Sequence, residues 1–163
     1  MNTGQMLLAL GAMILLSTTV LRVNNTFLTT DTVLDETKYS FLATSIGSSI
    51  IQEAKNKAFD NGTDTTAVDQ LNLLTLESNL GPEGGETYAT FNDFDDFDGY
   101  SRVDSTMPSA VFYVSCKVEY VNENQPDQAS NRTWNKMITV TVTSPYMTDV
   151  IKMSTIYSYW FFR

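Results

Sequence analysis

The stretch GQMLLALGAMILLSTTVLRVNN, residues 4–25, is apolar enough to enter a lipid bilayer. The first 21 residues of the chain carry no charged side chain. A helix rises about 1.5 Å per residue, so this segment is just long enough to cross a hydrocarbon core of roughly 30 Å. A cleaved secretion signal would begin with a basic region and end at a small-residue cleavage site, whereas an ordinary single-pass anchor fits the hydrophobicity equally well.

Residues 24–60 continue this segment as an amphipathic helix. They contain no proline and one glycine, Gly47. Apolar residues recur at helical spacings and form one stripe: Leu34, Tyr39, Leu42, Ile46, Ile50, Ile51 and Ala54. The pattern predicts one nearly continuous helix over residues 3–58, ended by the turn residues 60–62. The β-branched and cap-type residues at 24–32 lower helix propensity, which predicts a kink or local melting there.

The composition changes after residue 60. Residues 60–104 hold eleven acidic side chains against one basic side chain, and GPEGG at 81–85 disfavours regular structure, so we expect a mostly irregular connection. From Val111 the apolar period becomes two, which predicts a strand in VFYVSCKVEYV. Two further strands are predicted in KMITVTVTS and IKMSTIYSYWFF, and NENQPDQASN between the first two strands is expected to be a loop.

The predicted fold class is therefore α+β, with a long N-terminal helix packed on a C-terminal antiparallel sheet. A three-stranded sheet with one apolar face needs a cover, and residues 34–54 of the helix are the expected cover. Four regions follow from this reading: a hydrophobic half-helix at 1–22, an amphipathic half-helix at 23–60, an acidic connection at 61–110, and the sheet of a globular head at 111–163.

This order of elements resembles the type IV pilin-like family, as does the placement of Gly4 and Gln5 before MLLALGAMILL. Family members carry a Gly-ended leader that a dedicated peptidase removes, and a glutamate at the fifth mature position. The resemblance implies either that the chain is processed between Gly4 and Gln5, which puts Ala9 at the glutamate position, or that numbering starts at the mature Met1 and Gln5 replaces the glutamate.

The resemblance implies a structural subunit of an extracellular filament at the cell surface. Such a subunit is first held in the inner membrane by one span, where it meets the pilus assembly machinery, and then packs with copies of itself as a helical homopolymer. The alternative is a membrane-anchored minor pilin, a pseudopilin or a binding module of a secretion or adhesion system. The residues expected to drive assembly are Met6, Leu7, Leu8, Leu10, Met13, Ile14, Leu15, Leu16 and Val20.

The composition argues against nucleic-acid binding and against catalysis. The formal charge of −9 and a pI near 4.3 argue against nucleic-acid binding, which requires a basic face. The chain has no histidine, no Gly-rich phosphate loop and no Cys/His metal set, so we predict no enzymatic activity. The single cysteine, Cys116, cannot form an intrachain disulfide, and its place on the apolar face of a strand predicts a buried, unreactive thiol.

Two features of the loops suggest ligands or modification. FNDFDDFDGY at 91–100 clusters hard oxygen donors that suit calcium, namely Asp93, Asp95, Asp96 and Asp98. The alternative is an acidic turn whose interleaved aromatic side chains pack the loop onto the sheet. No other cofactor is expected. Asn61 and Asn131 begin N-x-[ST] sequons in predicted loops and are candidate glycosylation sites.

Overall fold

The computed structural model of the 163-residue chain describes residues 2–107 and 110–159. The chain divides into two compact units, Met1–Lys38 and Tyr39–Arg163. Helix α1, Thr3–Lys55, supplies the first unit from Thr3 onward and also the start of the second unit.

The first unit is helical throughout residues 3–38. This includes residues 24–32, where the sequence predicts a kink or local melting. Threonine hydroxyls in this stretch donate to carbonyls one turn earlier: Thr26 to Arg22 O at 2.9 Å and Thr29 to Asn25 O at 2.8 Å. These threonine hydroxyls therefore have partners within the helix itself, and the α-helix continues through residues 24–32.

The second unit contains a five-stranded antiparallel sheet. The strands are β1 (Ser101–Asp104), β2 (Phe112–Asn122), β3 (Gln125–Ala129), β4 (Asn135–Thr143) and β5 (Ile151–Ser158). Their order is β1-β2-β4-β5, and β3 pairs with the end of β2. The predicted α+β class, with a long N-terminal helix and a C-terminal antiparallel sheet, is confirmed. Residues 160–162, which the sequence assigns to the last strand, lie outside the described residues.

Two strands were missed in the sequence. β1 lies in the stretch predicted to be irregular, and β3 lies in the stretch predicted to be a loop. β3 contains Pro126 and Asp127, residue types that are depleted in strands, and it lies mostly in solvent, so it has no apolar alternation. Its pairing depends on a two-residue hairpin, in which the Asn124 N–H donates to Asn122 Oδ1 at 3.1 Å.

Residues 56–100 connect the helix to the sheet through short 3₁₀ turns instead of long elements. These turns are Asn61–Thr63, Leu71–Leu73, Glu77–Asn79, Tyr88–Thr90 and Asp95–Phe97. Phe91, Phe94 and Phe97 are all buried, so this connection contributes to the core.

The core lies between the helix and one face of the sheet. On β2 the predicted alternation is confirmed, with Phe112, Val114, Cys116, Val118 and Tyr120 all buried. The helix buries Ala43, Ile46, Gly47, Ile50, Ile51 and Ala54. The predicted cover began at residue 34, but Leu34 is 62% exposed and the first fully buried helical residue is Ala43.

The helix approaches the sheet closely at Gly47. A Cβ placed on this residue would lie 3.1 Å from Met153 Sδ and 3.7 Å from Val142 Cγ2. The absence of a side chain at this position therefore allows the helix and sheet to pack at this spacing.

Candidate functional site

The apolar segment of the first unit is exposed along its length. The nine residues expected to drive assembly have exposures between 52% and 77%: Met6, Leu7, Leu8, Leu10, Met13, Ile14, Leu15, Leu16 and Val20. Among the described residues, α1 alone is long and apolar enough to cross a membrane, judged by length and composition. Such a large exposed apolar surface marks a membrane or protein interaction site in most proteins.

Two threonine side chains within this segment have hydrogen-bond partners in the helix itself. Thr18 and Thr19 both donate their hydroxyls to Leu15 O, at 3.0 and 2.7 Å. Gly4 and Gln5, the candidate processing residues, lie in the first turn of α1, where the Gln5 N–H donates to Asn2 O at 2.9 Å. Hydrogen bonds of this kind within the helix suit a dry environment, such as a bilayer or a protein interior, where no water can replace them.

The four aspartates of the acidic loop have different partners. Asp93 Oδ1 accepts the backbone N–H groups of Asp95 and Asp96, at 2.9 and 3.2 Å. Asp98 Oδ1 accepts the Val118 N–H at 2.8 Å and so ties the loop to β2. Asp95 forms an ion pair with Lys136. The calcium site composed of these four residues stays a prediction, and much of their hydrogen-bonding capacity is already used within the protein.

The second unit contains a buried ammonium group, Lys136 Nζ. Lys136 is fully buried at the start of β4, and its Nζ lies 2.8 Å from both Phe59 O and Asp60 Oδ2. It also bonds Asp95 Oδ1, and it lies over the ring of Tyr120 at 5.2 Å from the centroid. We call Lys136, Asp60 and Asp95 the buried ion cluster.

The sequence offered little sign of this cluster. Lys136 stands at the edge of an alternating strand, where a lysine is usually solvated, and its partners are 76 and 41 positions away in the chain. Its only local signal is that Lys136 and Ile138 are two residues apart, so they lie on the same, buried face of β4.

The pKa values of the two acids move in opposite directions. Burial acts to raise the pKa of Asp60, but the charge of Lys136 and hydrogen bonds from Lys136, Thr75 and Gly62 outweigh burial and hold it below its ordinary value. For Asp95, burial is the largest effect and raises the pKa despite Lys136. Asp60 is thus the member of the pair that the environment favours as a carboxylate.

Asp93 lies beside this cluster and forms no ion pair with any residue that the structure describes. Burial, followed by the charges of Asp95 and Asp96, raises the pKa of Asp93 to about 9. Its Oδ2 is buried and has no hydrogen-bond partner among the described residues. Burial and the neighbouring carboxylates thus favour the neutral form of Asp93.

A second group of carboxylates lies within the connection, between residues 83 and 96. Oxygens of Glu83, Glu86 and Asp96 all lie within 4.8 Å of one another. Asp96 is the one member of the predicted calcium set that belongs to this group. The sequence does not single out Glu83 and Glu86, because both precede the Asp-rich motif and flank a glycine pair.

Cys116 is buried on the inner face of β2, as predicted. Burial raises the pKa of its thiol to about 12. We expect Cys116 to resist alkylation by iodoacetamide at pH 8 until the protein is unfolded with urea, because only the thiolate reacts readily. Ser115→Cys provides a matched control, since Ser115 is exposed on the same strand and its thiol should be modified in the folded protein. Rapid labelling of native Cys116 would contradict this burial.

Asn61 and Asn131 are both exposed, as a glycan acceptor must be. The Asn61 side chain also donates from Nδ2 to Glu83 Oε1 at 2.9 Å. Glycosylation at either position stays a prediction.

Comparisons of the chain with family models, curated proteins and solved structures found no significant match. The resemblance to type IV pilins therefore rests on architecture. A long N-terminal helix followed by an antiparallel sheet is compatible with that family, and the apolar start of the helix could anchor in a membrane.

Proposed function

We propose that the protein is a structural subunit of an extracellular type IV pilus-like filament and polymerises through the apolar part of α1. The observation that carries this proposal is the uncharged, exposed apolar surface over residues 5–21. A membrane and a filament core both exclude water, so the same side chains suit the subunit before and after assembly.

Small residues within the apolar segment support close helix packing. Ala9, Gly11, Ala12, Ser17 and Thr18 interrupt the larger side chains, and a Cβ on Gly11 would meet nothing within 4 Å in the single chain. Helices in lipid associate through van der Waals packing at such small residues, because lipid tails are already as apolar as leucine. A second copy of the same helix is therefore a suitable partner.

The proposal places the subunit first in the inner membrane, with a single span, and then in a filament at the cell surface. Its partners are other copies of itself and the membrane assembly machinery of the filament. The net charge of −9 gives no basic face for nucleic acid.

Deletion of residues 5–21 tests this role. We expect the shortened chain to be a soluble monomer that forms no filaments, because the surface that excludes water in the polymer is removed. Electron microscopy of sheared cell-surface material and sedimentation of the purified chain measure the two outcomes. Filaments assembled from the shortened chain would rule out the proposal.

A single charged substitution in the apolar segment also tests its role in assembly. Ile14→Lys puts an ammonium in the middle of the apolar segment, which costs about 2.5–3.5 kcal/mol at the centre of a bilayer on insertion scales. Val103→Lys is the matched control, since Val103 on β1 is 60% exposed and Ile14 is 63% exposed. We expect filaments from the control and none from Ile14→Lys.

A further inference from the structure

The turn at residues 83–86 brings two glutamates together. The Glu86 N–H donates to Glu83 O at 3.0 Å, and the Glu83 N–H donates to Glu86 Oε2 at 3.0 Å. Gly85, the third residue of this turn, has φ +98°, a conformation that glycine adopts without steric cost. The backbone therefore holds the two carboxylates on the same side of the turn.

Asp96 faces these glutamates from inside the protein. Its side chain is fully buried, and its Oδ2 accepts the backbone N–H groups of Asn92 at 2.8 Å and Asp93 at 3.1 Å. Its Oδ1 has no hydrogen-bond partner among residues 2–107 and 110–159. A buried carboxylate oxygen without a partner is unfavourable, so its presence points to a ligand that the protein chain does not supply.

Glu83, like Asp96, has a buried carboxylate oxygen that lacks a hydrogen-bond partner among the described residues. Glu83 Oε1 accepts from Asn61, but Glu83 Oε2 is buried and has no partner in the described part of the chain. None of the ion pairs formed by the described residues includes Glu83, Glu86 or Asp96.

We propose that Glu83, Glu86 and Asp96 bind a calcium ion. Their oxygens lie within 4.8 Å of one another. Calcium accepts six to eight oxygen ligands in a flexible geometry, whereas magnesium requires a near-ideal octahedron and usually keeps several of its waters. Three carboxylates on a turn and a loop therefore suit the more geometrically tolerant ion.

A calcium ion here would join the 83–86 turn to the buried loop that carries Asp96. Its two positive charges would offset most of the charge on three carboxylates that otherwise repel one another, so it should stabilise the second unit. This inference is independent of the proposed filament role, because it concerns the stability of the head and not the apolar segment.

The test uses the full chain in detergent micelles, stripped with EGTA and titrated with CaCl₂ by calorimetry. We expect one calcium ion per chain and a rise in Tm of about 5–10 °C at a calcium concentration about 100 times Kd. Glu86→Gln should weaken binding at least tenfold, and Asp96→Asn should do the same. Glu123→Gln, in the exposed β2–β3 turn, is the matched control and should bind as the unaltered chain does.

Three results would overturn the proposal. One is a flat calcium titration with no change in Tm in the unaltered chain. Another is equal or tighter binding of MgCl₂, which would contradict the choice of ion. The third is binding that survives Glu86→Gln but is lost in Asp98→Asn, which would place the ion in the Asp-rich motif instead. Because Glu86 is not buried, Glu86→Gln decides the location even where Asp96→Asn fails to fold.

Discussion

Replacement of Lys136 by methionine is expected to lower the free energy of unfolding by about 3–5 kcal/mol, because it leaves two buried carboxylates without their cation. Methionine has a similar length and apolar stem, so the change removes the charge with little loss of volume. Asp60 and Asp95 are each about 1% exposed, and water cannot replace the ammonium without opening the core. Urea denaturation of the full chain in micelles, followed by tryptophan fluorescence, measures the loss.

Lys117→Met is the matched control for this substitution. Lys117 lies on β2 of the same sheet, its side chain is 66% exposed, and it pairs with Glu119 at the surface. Exposed pairs contribute about 0–1 kcal/mol, so we expect little change in stability. Equal effects of Lys136→Met and Lys117→Met would contradict the buried ion cluster.

The loss of stability caused by Lys136→Met is expected to depend on pH. The pKa of Asp60 in the folded protein lies below its ordinary value of 3.8, so its stabilising contribution is present above that pH and is lost as the pH falls through the lowered pKa. Lys136→Met removes the main charge that lowers this pKa. The stability difference between the two chains should therefore shrink as the pH falls below 3.8 and through the lowered pKa of Asp60, because a neutral Asp60 no longer needs the cation.

Phe94→Ala is expected to cost about 3–5 kcal/mol of unfolding free energy, through lost burial and the cavity that remains. Phe94 is fully buried, its ring centroid lies 5.1 Å from that of Tyr157, and its N–H donates to Ala58 O at 2.9 Å. This loss would show that the Asp-rich motif is part of the core, as the aromatic-packing interpretation of FNDFDDFDGY predicts. The same denaturation measurement applies.

Phe41→Ala removes the same side chain from an exposed helical position. Phe41 is 73% exposed, so we expect a change within about 0.5 kcal/mol. A loss at Phe94 no larger than the loss at Phe41 would mean that the acidic loop is not packed as described.

The elements with strong local periodicity were predictable from sequence. The uncharged run before Arg22 indicates an apolar helix by its length and composition, and the stripe through Ile46 and Ile50 indicates an amphipathic one, because its residues share one face at a period of 3.6. Likewise, β2 and β4 alternate buried and exposed residues at a period of two. The two periodic patterns exist in the sequence because one side of β2, of β4 and of the helix from Ala43 onward meets the core.

The remaining features depend on contacts that are distant in sequence. β3 is held by backbone hydrogen bonds to β2, and these bonds require no particular side-chain pattern. The exposed residues of β3 therefore show no alternation of apolar and polar types. The burial of Lys136 is explained by Asp60 and Asp95, which only the folded chain brings to it. The carboxylates of Glu83 and Asp96 likewise meet through the geometry of a turn and not through a motif.

Composition of sheared surface filaments is the most direct measure of the central claim. We predict that filaments sheared from cells that naturally produce this protein contain the chain as their main component, identified by mass spectrometry. N-terminal sequencing of the same material would show whether the bond between Gly4 and Gln5 is cut. Recovery of the chain only in the membrane fraction, with filaments that lack it, would contradict the filament role and favour a membrane-anchored binding module.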